Sequence, residues 1–209
     1  MTRFVKICGI TSLDDALACV DAGADAIGFN FWPQSKRHIA VESAAAIAKR
    51  LPPNLRTVGV FVDPSEADVE RAFASGAIDL VQLHGDETPE FCRRFSGRYI
   101  KAVRLRDATS IARMAEYTCD FVLVDADTAG YGGSGQRADV ALATEAAAAR
   151  RVILAGGLTP DNVAEAVAAV RPYGVDVAGG VEREPGIKDW IKVAAFVQAA
   201  KRGAPSERG

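Results

Sequence analysis

Lys6-Ile-Cys-Gly-Ile-Thr11 closes the first apolar run of the chain and puts a thiol, Cys8, where a strand gives way to a loop. An open, doubly wound nucleotide-binding sheet would show Gly-x-Gly-x-x-Gly directly after its first strand. Cys8-Gly-Ile-Thr11 does not fit that pattern, so the rest of the chain has to supply the fold. It does so by repetition. Apolar runs at 3–8, 26–31, 57–62, 80–83, 99–104, 121–125, 151–155 and 175–178 alternate with helical patterns at 12–22, 41–51, 64–75, 88–95, 107–116, 140–148, 159–170 and 187–201. The runs are apolar nearly throughout, as strands buried on both faces must be. Helix starts are read at Thr11 or Ser12, Asp63-Pro64 and Thr159-Pro160. Eight β-then-α units, with glycine pairs after the last two strands, favour a single (β/α)8 TIM barrel. We expect the barrel to occupy residues 1–202 and 203–209 to be a frayed tail.

Composition limits the function classes. The chain has 209 residues and a formal net charge of −2, which argues against a general nucleic-acid or membrane-surface partner. It shows neither a run of membrane-spanning length nor room for a signal peptide before the first strand, so a cytoplasmic location is expected. Cys8, Cys19, Cys92 and Cys119 are widely spaced and form no Cys-x-x-Cys pair, so they read as reduced thiols. Charge spread over most helices makes a monomer the default, with a homodimer possible.

In a barrel of this kind chemistry collects where strands end. Phe4, Lys6 and Cys8 share one face of the first strand, with Lys6 roughly 7 Å below Cys8. A neighbouring cation would lower the thiol pKa towards the working range. The competing reading of Cys8 is a small buried hydrophobe. After the second strand come Lys36, Arg37 and His38, and Arg37 could hold a carboxylate by two parallel hydrogen bonds. The fourth strand ends with Gln82 and His84 on one face, the fifth with Arg104. The sixth ends at Asp125, where partial desolvation would suit a general acid, with Asp127 as rival. Gly130-Tyr-Gly-Gly-Ser-Gly135 follows and reads as a lid, a close backbone approach to ligand, or a plain connection. Gly156-Gly157 after the seventh strand and Gly179-Gly180 after the eighth expose backbone N–H groups, which points to a phosphate pocket.

Lys6-Ile-Cys-Gly-Ile-Thr11, Asp25-Ala-Ile-Gly-Phe29, Ser35-Lys-Arg37, Gly59-Val-Phe-Val62, Val81-Gln-Leu-His-Gly-Asp86, Gly132-Gly-Ser-Gly135 and Leu154-Ala-Gly-Gly-Leu-Thr-Pro160 occur in this order. The set resembles the motifs of the phosphoribosylanthranilate isomerase family of tryptophan biosynthesis, over roughly residues 3–200. The resemblance implies a (β/α)8 barrel without cofactor or metal. It implies an Amadori rearrangement of N-(5-phosphoribosyl)anthranilate, a small-molecule substrate. Cys8 then matches the general base, Asp125 the general acid, and Arg37 the residue facing the anthranilate carboxylate. The Gly157 and Gly180 loops match the phosphate-binding ends. His84 and Asp176 are added as substrate-binding residues from strand position. One departure stands out: Ala178-Gly179 replaces an expected Ser-Ser, which shifts phosphate binding towards backbone N–H groups. The alternatives are another phosphosugar barrel enzyme, such as an indole-glycerol-phosphate synthase-like lyase or a histidine-pathway isomerase, and a non-catalytic phospholigand-binding barrel. A thiol base speaks against the first two, since histidine-pathway isomerases use paired aspartates.

Overall fold

A computed structural model describes residues 3–125 and 137–202. Eight parallel strands close into a barrel in chain order: β1 (Phe4–Cys8), β2 (Ala26–Asn30), β3 (Arg56–Phe61), β4 (Leu80–Leu83), β5 (Tyr99–Arg104), β6 (Phe121–Asp125), β7 (Val152–Ala155) and β8 (Gly174–Val177). The closing seam pairs Lys6 with Asp176 in register. Eight helices surround it: α1 (Leu13–Asp21), α2 (Val41–Ala48), α3 (Glu66–Ala74), α4 (Pro89–Arg93), α5 (Ala108–Met114), α6 (Arg137–Ala149), α7 (Val163–Val170) and α8 (Trp190–Arg202). A short hairpin, β9 (Glu182–Glu184) with β10 (Ile187–Lys188), precedes α8. No described helix is long and apolar enough to cross a membrane. The four cysteines are buried and unpaired.

Strand alternation divides each strand between two environments. Val5, Ile7, Val81, Leu83, Val122, Val124, Val152 and Leu154 face outward into the large core shared with the helices. A smaller cluster fills the barrel interior: Ala26, Val58, Ile100, Ala102, Leu123, Ile153 and Ala155. Phe4, Phe121 and Tyr173 stack at its N-terminal end, with ring centroids 4.8–6.5 Å apart. Above that floor the interior turns polar, and Lys6 and Asp176 face each other in an ion pair of 2.9 Å. A charged pair this deep survives because each partner removes the cost of burying the other.

The first helix starts at one of the two positions read from the sequence, whereas others differ from that reading for a local reason. Ser12 caps α1, its hydroxyl accepting from the Asp15 amide at 3.2 Å. Ser65 rather than Asp63 caps α3. Asp63 stands at φ 47°, and its carboxylate accepts the Asp86 amide at 2.7 Å, tying the β3 loop to the β4 loop. Thr159-Pro160 lies ahead of α7 because the Asn162 side chain takes the Thr159 amide in a turn. The last helix was expected to begin at 187. Instead Gly186, at φ +88°, turns the chain into β10, and Asp189 caps α8 by accepting the amides of Ile191 and Lys192 at 3.1 Å. Asp127, the Gly130–Gly135 loop and the 203–209 tail lie outside the described residues.

Candidate active site

At the C-terminal ends of the strands a cleft of about 410 Å³ opens. Cys8, Arg37, His84, Asp125, Gly156, Gly157, Asp176, Gly179 and Gly180 all line it. Nine positions expected from strand ends thus meet in one space. Asn30, Trp32, Ser35 and Gln82 add polar and aromatic groups to the wall, and apolar side chains including Val60, Val62 and Leu158 make up part of the rest. Of these, Gln82 was noted from its shared face with His84. Asn30 was legible only as the polar end of an apolar strand.

The thiol sits in a tightly confined place. Cys8 is 8 % exposed, beside Gly28 of β2 in register. Gly28 leaves the space that Cys8 Sγ and Lys6 Nζ occupy: a Cβ there would fall 2.8 Å from the sulfur and 3.2 Å from the ammonium. Burial pushes the Cys8 thiol above its ordinary pKa, while Lys6 opposes that shift by favouring the thiolate. The net direction corrects the expectation of a lowered pKa. Lys6 acts in the expected sense but is outweighed by desolvation, and Asp176 adds to the upward shift. Burial would depress Lys6 itself, yet Asp176 and Cys8 hold it above the usual lysine value. The ammonium is therefore a fixed charge at the base of the cleft.

Asp125 ends β6, three strands from Cys8 around the barrel, and the glycine loops after β7 and β8 lie between them. Gly180 seats one glycine loop on the other, because a Cβ there would fall 1.9 Å from the Leu158 carbonyl oxygen. His84 Nδ1 meets Gln82 Nε2 at 2.8 Å. With the amide donating, the neutral ring carries its proton on Nε2. Burial holds His84 below the ordinary histidine pKa, against the pull of Asp125 and Asp176. The His84 loop is braced from below by Lys101 of β5, which donates to the Leu83 and Gly85 carbonyls and pairs with Glu87 at 2.8 Å.

Arg37 does not stand alone. Its Nε and Nη2 form a fork onto Glu182, at 2.8 and 2.6 Å. This pairing holds the guanidinium above its already high pKa. The side chain crosses Gly9, where φ is +78° and a Cβ would lie 2.4 Å from Arg37 Cδ. Glu182 also accepts from Lys188 at 2.8 Å. Burial would raise the Glu182 pKa, but its hydrogen bonds to Arg37 and Lys188 bring it below the usual carboxylate value. Glu182 and Lys188 were not singled out from the sequence. The signal available was Asp189, which as a helix cap would have left Lys188 outside the helix.

Among the described residues no group of three or more His, Cys, Asp or Glu side chains is arranged to hold a metal ion.

A closed barrel with a thiol and a carboxylate on its cleft walls, and two glycine-lined loops between them, defines a class. It is that of the (β/α)8 enzymes whose ligand site lies at the strand C-termini. The chain belongs to the N-(5'-phosphoribosyl)anthranilate (PRA) isomerase family, whose model matches residues 5–199. It is 52 % identical over 198 residues to N-(5'-phosphoribosyl)anthranilate isomerase of Geobacter metallireducens, covering 94 % of this chain and 98 % of that protein. The crystal structure of the Thermotoga maritima phosphoribosyl anthranilate isomerase superposes with a TM-score of 0.86 at 42 % identity, covering 97 % of this chain and all of that one. A phosphoribosyl anthranilate isomerase in complex with reduced 1-(o-carboxyphenylamino)-1-deoxyribulose 5-phosphate superposes with a TM-score of 0.83 at 39 % identity, with the same coverage.

Proposed function

We propose that the chain catalyses the reaction for which its family is named. N-(5-phosphoribosyl)anthranilate is isomerised to 1-(2-carboxyphenylamino)-1-deoxyribulose 5-phosphate, with Asp125 as general acid and Cys8 as general base. One observation carries the assignment: a thiol and a carboxylate share one cleft with glycine loops between them. Asp125 protonates the furanose ring oxygen, and the ring opens to an iminium. That cation acidifies the neighbouring C2′ proton, which the Cys8 thiolate removes. The resulting enolamine tautomerises to the ketone. Each group contributes about 10²–10⁴-fold.

Lys6 supports this role by stabilising the thiolate that burial disfavours. The phosphate is assigned to the N–H groups of Gly156, Gly157, Gly179 and Gly180, where no side chain intervenes. Arg37 is assigned to the anthranilate carboxylate, and His84 and Asp176 to the ribose side of the cleft. Contacts remote from the reacting carbons orient the ring, so binding energy is used in reaching the transition state.

The test is a turnover assay following the loss of substrate fluorescence. Turnover by wild type that Cys8→Ser and Asp125→Asn each lower at least about a hundredfold is the expected result. A folded wild-type protein without turnover refutes the reading and leaves a binding-only barrel.

A further inference from the structure

Glu182 poses an electrostatic problem for Arg37. A carboxylate engaging two nitrogens of a guanidinium, at 2.8 and 2.6 Å, neutralises the charge that should attract a second carboxylate. The guanidinium keeps a free edge for hydrogen bonding, since Nη1 and the remaining Nη2 proton are not used by Glu182. The pair by itself carries no net charge. Lys188 restores one. Its Nζ lies 2.8 Å from Glu182 Oε1 and its side chain is fully buried, whereas the Arg37 side chain is 28 % exposed. The ammonium spends its other hydrogens on the carbonyls of Cys8, at 2.6 Å, and Ala178, at 3.4 Å. It is therefore anchored on the thiol strand and the β8 loop at once. Two cations on one anion leave the cluster with a single positive charge, and Arg37 alone among the three lines the cleft.

We propose that Lys188 is a positioning residue that never meets substrate. Its charge offsets Glu182, so that Arg37, held rigidly by Glu182, still attracts the substrate carboxylate. The division of labour is specific. Glu182 gives the guanidinium one orientation, and Lys188 cancels what that orientation costs in charge. The inference rests on Arg37 facing the carboxylate, as proposed above.

Charge and mere packing make opposite predictions for a double variant. The probes are reduced 1-(o-carboxyphenylamino)-1-deoxyribulose 5-phosphate and its phenylamino counterpart lacking the carboxyl group, and the readout is the ratio of their Kd values. Lys188→Met should cut the preference for the carboxylated probe about tenfold, as expected for one unit charge acting through a partly screened site. It should leave the carboxyl-free probe nearly unaffected. Lys188→Met/Glu182→Gln removes one charge of each sign and should recover the preference to within about threefold of wild type. A purely structural Lys188 would make the double variant as poor as the single one, and that result overturns the proposal. Should Lys188→Met fail to fold, Lys188→Gln, which removes the charge but keeps a polar group for the Cys8 and Ala178 carbonyls, takes its place. A preference cut about tenfold is then expected, and a preference within about threefold of wild type overturns the proposal. Arg37→Ala separates the two layers of argument. An unchanged preference there refutes the Arg37 assignment itself, whereas a collapsed preference with Lys188→Met at the wild-type level refutes only the inference.

Discussion

Replacing Gly28 with alanine tests where the thiol lies. Gly28 faces the barrel interior beside Cys8, and its φ is one that any residue adopts, so the only obstacle is space. The added methyl would stand 2.8 Å from Cys8 Sγ, 3.2 Å from Lys6 Nζ and 3.2 Å from Cys8 Cα. Lys6 cannot retreat, being fully buried and bonded to Asp176 at 2.9 Å. The sulfur or its strand must therefore move by about 0.6 Å or more to reach ordinary contact. Overpacking of this kind costs about 1–3 kcal/mol. For a chain of this size that lowers Tm by about 2–7 °C. A base displaced by up to about 1 Å loses as much as about 10²-fold in rate, so kcat should fall about 10–100-fold. Gly59→Ala is the control. Its methyl would meet Phe31 Cε2 at 2.8 Å and Ile78 atoms at 3.0 Å, in the core behind the sheet. It should lower Tm comparably while kcat stays within about threefold of wild type. Steady-state kinetics and calorimetry on the two variants suffice. If Gly28→Ala loses Tm like Gly59→Ala but keeps its kcat, the thiol does not lie where the proposed chemistry needs it.

Other expectations follow from the same cleft. Cys8→Ser and Asp125→Asn should each lower kcat at least about a hundredfold with the far-ultraviolet spectrum unchanged; near wild-type turnover in either would end the acid–base assignment. Arg37→Ala should mainly raise KM, and an unchanged KM would move the carboxylate contact elsewhere, with Arg104 the next candidate. Lys6→Met removes the charge that lowers the Cys8 pKa against the raising effect of burial. The thiol should then ionise at still higher pH, and the rising limb of kcat/KM against pH should move in the alkaline direction. Ultraviolet titration of the thiolate, taken as a difference from Cys8→Ser, checks this, and identical titration curves would dismiss Lys6 as an influence.

What could be read without coordinates were properties carried by neighbours in sequence. Cys8 and Asp125 announced themselves because alternation along a strand places the terminal inward residue on the cleft. The glycine pairs after β7 and β8 could be read because backbone exposure needs only the absence of side chains. Local signals also misled where tertiary contacts override them. Asp63 before Pro64 looks like a helix cap, but the Asp86 amide claims its carboxylate. Ile187 continues the apolar period of the last helix, yet Gly186 and Asp189 divide residues 187–188 from it. The pKa of Cys8 took the direction opposite to that expected, because the sequence places a lysine two residues away but says nothing of how completely the barrel removes water. Glu182 carries no local signal of its own in the sequence. Its meaning comes from Arg37, 145 residues earlier, and no spacing rule reaches that far.

The same long reach governs how the molecule comes to exist. Lys6 finds its counter-ion 170 residues away, and the carbonyl of Cys8 finds the Lys188 ammonium 180 residues away. Contacts this distant carry the full entropy of closing most of the chain, and nothing local compensates until β8 docks on β1. A nascent chain that has made seven strands already contains Cys8, Arg37 and Asp125, but lacks Asp176, Glu182 and Lys188 to secure them. The ion pairs and hydrogen bonds that fix Lys6, Arg37 and the Cys8 carbonyl are thus completed only when the C-terminal end of the chain is in place. Pulse alkylation of the Cys8 thiol during refolding would put a time on that step. The residue that begins the barrel is finished by the last strand to join it.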